Sequence, residues 1–198
     1  MLVCRYWDDV MLATPGIHSQ LRIDRRTGEK DVERFGRRWL LDVTIDTGDK
    51  WDVFGPRPVG FHECFMAAAE AASRWRSLAI HSLLPPGEYK DLQITHPLEH
   101  LESFKLTAHC DLGNFLEPLI TAIATTVTPH FTVMEVFHPD AAFYLAQPAN
   151  LRIFSFLTTL RLIGKRMQNP VDILPSLHKL EIFEAHHLPL QIYPPGVC

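Results

Sequence analysis

Leu98-Glu99-His100-Leu101-Glu102-Ser103-Phe104-Lys105-Leu106 is the stretch on which the fold turns. Its apolar residues follow the form apolar-x-x-apolar-x-x-apolar-x-apolar, and the last pair, Phe104 and Leu106, alternates with polar neighbours at the period of a half-buried strand. The form recurs as Phe154, Leu157, Leu160, Leu162 and as Leu174, Leu177, Leu180, Ile182. A weaker copy runs Thr128, Phe131, Met134, Val136, and strand-only matches occur at Val43/Ile45 and Leu78/Ile80. The final apolar positions are 45, 80, 106, 136, 162 and 182, separated by 35, 26, 30, 26 and 20 residues. In a chain with 46% apolar residues, four-position matches arise by chance in roughly eight windows, so the form alone decides nothing. Its recurrence at similar intervals, with helix or turn signals between copies, gives it meaning.

Those intervening signals are specific. Asn114 to about Thr126 reads as a helix, with Asn114 and Glu117 as a capping pair and Phe115, Leu119 and Ile123 on one face. A helix from roughly Asp31 to Leu41 buries Val32, Phe35 and Trp39 and leads into a strand over Asp42–Asp46. After a Gly/Pro/Asp-rich loop over 47–60, a helix is expected from Phe61 to about Ser73, then Trp75, half-buried at the junction, and a strand over Ser77–Ile80. Asn169-Pro170 starts a further short turn. A strand with its return segment cannot bury its apolar side alone, so such units stack. Spacings of about 20–29 residues are those of leucine-rich repeats. The expected architecture is an α/β, leucine-rich-repeat-like solenoid, a curved parallel sheet with helices on its convex side. A bare final repeat before Pro194-Pro195-Gly196 leaves an edge that calls for a cap.

The first 23 residues read differently. Val3, Trp7 and Val10 lie at helical spacing within Leu2–Leu12, Thr14-Pro15-Gly16 stops the run, and Ile17, Leu21 and Ile23 follow as an extended piece. The run Val3-Cys4-Arg5-Tyr6-Trp7 through Thr14-Pro15 to Leu21-Arg22-Ile23 resembles the tail of an F-box. Ser73-Arg74-Trp75-Arg76-Ser77-Leu78 and the Leu98–Leu106 stretch resemble repeats of the F-box proteins of mushroom-forming fungi, and Val32–Asp46 fits the same layout. The resemblance spans most of the chain. It implies an F-box remnant over 1–23 and a repeat domain over 24–198. It also implies a substrate-recognition subunit of a cullin–RING (SCF) ubiquitin ligase, whose F-box holds a Skp-type adaptor while its repeats capture the protein to be modified. Val3, Cys4 and Trp7 match the retained adaptor-binding part. The family's leading L-P-containing helix is missing, so a stand-alone repeat scaffold is the alternative.

Other functions are set aside by composition and motif. The net charge of −4 gives no field for nucleic acid. The seven Lys/Arg between Arg22 and Arg38, against four acids, read as a solvated surface. No apolar run reaches the length of a membrane span, and no secretory leader is visible. Four scattered cysteines (Cys4, Cys64, Cys110, Cys198) suit a reducing compartment, cytoplasm or nucleus. The eleven histidines, His96/His100 and His186/His187 among them, show no zinc-site spacing, so no metal or cofactor is expected. No nucleophile elbow, P-loop or dinucleotide fingerprint occurs. Cys110-Asp111 with a histidine is the sole hint of a hydrolase, the third reading, and the expectation is no enzyme.

Alternation along the strands predicts the partner-binding surface. One row crossing the strands holds Thr44, Ala79, Lys105, Glu135, Arg161 and Glu181, with charge alternating from Lys105 onward. The next holds Asp46, His81, Thr107, Phe137, Ile163 and Phe183, whose last three form an apolar strip. Aromatics beside arginine are common interface anchors. Lys105, Glu135, Phe137, Arg161, Ile163, Glu181 and Phe183 are therefore the candidate contacts on the concave face.

Overall fold

The computed structural model describes residues 20–24, 40–46, 61–82, 94, 96–108, 113–126, 129–138, 148–164 and 177–187. Seven strands form one sheet, β1 (Gln20–Ile23), β2 (Leu41–Asp46), β3 (Trp75–Ser82), β4 (Ser103–Ala108), β5 (Val133–Phe137), β6 (Thr159–Gly164) and β7 (Ile182–His187). All six pairings are parallel, and the spatial order is the chain order. Parallel neighbours need a return segment for every strand. Among the described residues, two returns contain α-helix, α1 (Phe61–Ala69) between β2 and β3 and α2 (Gly113–Thr126) between β4 and β5, and a 3-10 helix over Pro148–Ser155 lies between β5 and β6. The fold is α/β with a solenoid-like parallel sheet.

Ile23, Ile45, Ile80, Leu106, Val136 and Leu162 pair in sequence across β1 to β6, each 2% exposed or less. They belong to one continuous core with Phe65 and Ala68 of α1, Ile120 and Ile123 of α2, and Ile153 and Phe154 of the 3-10 helix. Burying a large apolar side chain stabilises by roughly 1.5–3 kcal/mol. One face of the sheet therefore carries the stability, and the other is left to polar and half-exposed side chains.

The motif's three-residue spacing has a local cause. A 3-10 turn places residues i and i+3 on one side, and a strand then takes over with a period of two. Leu101 N–H bonds to the Leu98 carbonyl at 3.2 Å, an i to i+3 bond, before β4 begins at Ser103. Ala72–Arg74 is likewise 3-10 and puts Ala72 and Trp75 into the core ahead of Leu78 and Ile80. The expected helix to Ser73 therefore ends early. α1 stops at Ala69, and the chain tightens so that Trp75, fully buried rather than half-buried, can start β3. Leu41, expected to end a helix, opens β2 opposite Trp75, and a register irregularity between Leu41 and Asp42 restores the alignment with Ser77. α2 begins at Gly113, one residue before the expected cap at Asn114, and runs through Pro118.

The last repeat departs from the expected register. Leu162 faces Ala185, and Ile182 faces Thr159. The sequence fits the same motif in two frames, Leu174-Leu177-Leu180-Ile182 and Leu177-Leu180-Phe183-Ala185, and the fold takes the second. An odd shift of three residues reverses the faces of a strand. Phe183 thus aligns with core residue Leu160, while Ile182 joins the open face. The adaptor-binding remnant Val3, Cys4 and Trp7, the helix expected from Asp31, Thr128, Asn169-Pro170, Leu174, Cys110-Asp111 and Pro194-Pro195-Gly196 lie outside the described residues.

Candidate protein-binding face

The strand residues that alternate with the core form three rows on the opposite face. The middle row runs Arg22, Thr44, Ala79, Lys105, Glu135, Arg161, Glu184. Lys105 Nζ lies 3.2 Å from Glu135, Arg161 donates to Glu135 at 2.6 Å, and the Arg161 Nε lies 3.1 Å from Glu184. This is the expected ladder of alternating charge with one correction. Its last rung is Glu184, because the register of β7 moves Glu181 to the turn before the strand.

Burial alone would push the Glu135 carboxyl up. The hydrogen bonds and charges of Lys105 and Arg161 outweigh it and hold Glu135 below the usual glutamate value. Arg161 is raised in turn, chiefly by its hydrogen bond to Glu135. Glu135 therefore stays a carboxylate at neutral pH, while the Arg161 Nε, close to Glu184, is not aligned for a hydrogen bond.

The row nearest the strand ends holds Asp46, His81, Thr107, Phe137, Ile163 and His186. Phe137 and Ile163 sit side by side, half-buried, with the Lys105 ammonium 5.9 Å from the centre of the Phe137 ring. Phe183, expected to complete this strip, lies on the other face, and His186 takes its place. Of the seven candidate contacts, the fold therefore brings together Lys105, Glu135, Phe137, Arg161 and Ile163, and separates Glu181 and Phe183 from them.

A second polar assembly on this face has no counterpart in the sequence reading. Arg76 reaches across from just inside β3 to Asp42 on β2 through both Nε, at 3.0 Å, and Nη2. The Ser77 hydroxyl donates to the same carboxylate at 2.8 Å. The Arg76 hydrogen bond, helped by Ser77 and by the guanidinium charge and opposed by burial, holds Asp42 below the usual aspartate value. Arg22 pairs with Asp46 and, at 3.6 Å, with Asp24. The bulge after Leu41 brings Asp42 level with Ser77, and that displacement is not visible in spacing alone.

A further line of main-chain bonds runs just before the strands. Glu102 N–H bonds to Arg76 O at 2.7 Å, Thr132 N–H to Glu102 O at 2.9 Å, Thr158 N–H to Thr132 O at 2.9 Å and Glu181 N–H to Thr158 O at 2.8 Å. This rim row starts from Arg76 inside β3 and extends the ladder by one residue ahead of each strand from β4 to β7. It fixes Arg76, Glu102, Thr132, Thr158 and Glu181 side by side.

Among the described residues no three His, Cys, Asp or Glu side chains cluster as metal ligands would, and no helix is long and apolar enough to cross a membrane. His96 and His100 are both exposed in the segment before β4. No protein family, curated protein or solved structure matches the chain.

Proposed function

We propose that the chain is a protein-recognition module, and that it serves as the substrate-recognition subunit of an SCF-type ubiquitin ligase. The open face of a seven-strand parallel sheet carries this reading. On it, Lys105, Glu135, Arg161 and Glu184 form an ion-paired charge row beside half-exposed Phe137 and Ile163. Such a surface offers shape, ordered polar groups and an apolar contact, which suit a protein partner. The ligase link rests on the likeness of Val3, Cys4 and Trp7, and of the repeats, to fungal F-box proteins.

The test is co-expression of the chain, together with any residues its gene encodes upstream of Met1, alongside a Skp-type adaptor. A one-to-one complex on size-exclusion chromatography is expected, and Trp7→Ala should dissolve it. A full-length product that elutes without the adaptor ends the ligase reading and leaves the stand-alone scaffold.

A further inference from the structure

Charge on the open face does not cancel evenly between β3 and β7. Asp42 is matched by Arg76, and Glu135 and Glu184 are matched by Lys105 and Arg161. Among the described residues two exposed carboxylates remain, Glu102 and Glu181, and both stand on the rim row. Glu102 opens onto the same depression as Arg76, Ser77 and Ser103 and acts on Arg76 only through space.

Main-chain bonds fix their separation. From Glu102 the ladder steps to Thr132, then Thr158, then Glu181, three strand spacings in all. At about 4.8 Å per step this is roughly 14 Å. Between the two acids the rim presents Thr132 and Thr158, with Val133 and Thr159 next along the strands, all half-buried. The surface is thus a pair of unmatched negative charges flanking a shallow, mainly uncharged stretch.

An extended polypeptide advances about 3.3 Å per residue and turns alternate side chains the same way. Residues i and i+4 are then about 13 Å apart on one side, with i+2 midway. We infer that this rim docks an extended partner segment of the form basic-x-apolar-x-basic, crossing the strands with its two Lys or Arg side chains on Glu102 and Glu181 and its central apolar side chain over Val133 and Thr159. The inference rests on the protein-recognition reading and specifies the chemistry of what is recognised. Neither acid belongs to the Lys105–Glu184 row, so partner charge binds without dismantling the ladder.

The probe is a fluorescently labelled, end-blocked nonapeptide containing Lys-Ser-Leu-Ser-Lys, titrated against the folded chain by anisotropy at low salt. Binding is expected, and Glu102→Gln and Glu181→Gln should each weaken it about three-fold and together about ten-fold, the size appropriate to exposed charge pairs. Glu99→Gln, an exposed acid in the turn before β4, should leave it unchanged. Moving the second lysine to i+3 should weaken binding as much as losing one carboxylate. No binding, or binding indifferent to Glu102 and Glu181, overturns the inference. The adaptor complex is scored separately. A chain that forms that complex and ignores the peptide keeps the proposed function and loses this one.

Discussion

The repeat ending in β6 and the repeat ending in β7 carry the same pattern and meet opposite fates. Phe154, Leu157, Leu160 and Leu162 are each 2% exposed or less. Leu177, Leu180, Phe183 and Ala185 occupy the equivalent positions 23 residues later, yet Leu177 and Leu180 are only partly buried and Phe183 is 37% exposed. The motif therefore supplies the side chains, and the following neighbour supplies the burial. β6 has a strand on each side, whereas β7, among the described residues, pairs with β6 alone.

The sharpest way to break this comparison is to remove one aromatic ring from each setting. Phe104→Ala in β4, where the ring is fully buried between two neighbouring strands, should cost about 3–5 kcal/mol in urea unfolding. Phe183→Ala should cost about 1 kcal/mol or less. Comparable losses would mean that β7 is as well covered as the interior.

The two frames of the last repeat give a second, smaller test. In the observed register Ala185 lies on the core side opposite Leu162, and Ile182 lies on the open face beside Thr159. Ala185→Lys should then destabilise by about 1–2 kcal/mol, because the charge must leave the sheet face it is anchored on, while Ile182→Lys should change stability by less than about 0.5 kcal/mol. The frame ending at Ile182 reverses the order. Thermal unfolding of the two variants distinguishes them.

Legibility followed the same division. Phe104/Leu106, Met134/Val136 and Leu160/Leu162 are paired strongly apolar strand residues, each set led by a residue three positions earlier, and their register follows directly from spacing. In the last repeat Leu177 and Leu180 serve both frames, and an alanine stands where the inner repeats have isoleucine, leucine or valine. The charge pattern could not choose either, since both frames set a glutamate opposite Arg161, Glu181 in one and Glu184 in the other. Among candidate contacts, Lys105, Glu135, Arg161, Phe137 and Ile163 were readable because they sit in repeats with a single frame. The Asp42–Arg76–Ser77 assembly was hidden by the bulge after Leu41, a backbone irregularity with no signature in hydrophobic period.

The two polar assemblies on the open face can be separated by acid. Asp42 and Glu135 both have folded pKa values below their ordinary ones. Such groups add stability at pH above their unfolded values near 4, and that contribution disappears as pH falls through the lower folded values. The contribution of these two carboxylates should be constant from neutral pH to about 5 and fall away below about 4. Asp42→Asn should flatten part of that decline and Glu135→Gln another part. Because Glu135 has two cationic partners and Asp42 one, Glu135→Gln should also cost more at pH 7.

A near-cancellation of opposing terms is expected in the core at the start of β3. Trp75 is fully buried, and its Nε1–H has no acceptor among the described residues. A buried unsatisfied donor costs roughly 1–3 kcal/mol, while the indole ring, paired in register with Leu41, contributes its packing. Trp75→Phe removes the donor and leaves a small void, so the two changes offset and net stability should move by less than about 1 kcal/mol. Trp75→Ala removes the packing as well and should lose about 3–5 kcal/mol. A large loss from the phenylalanine variant would mean that the indole volume, rather than aromatic area in general, fixes the tight 3-10 approach to this strand.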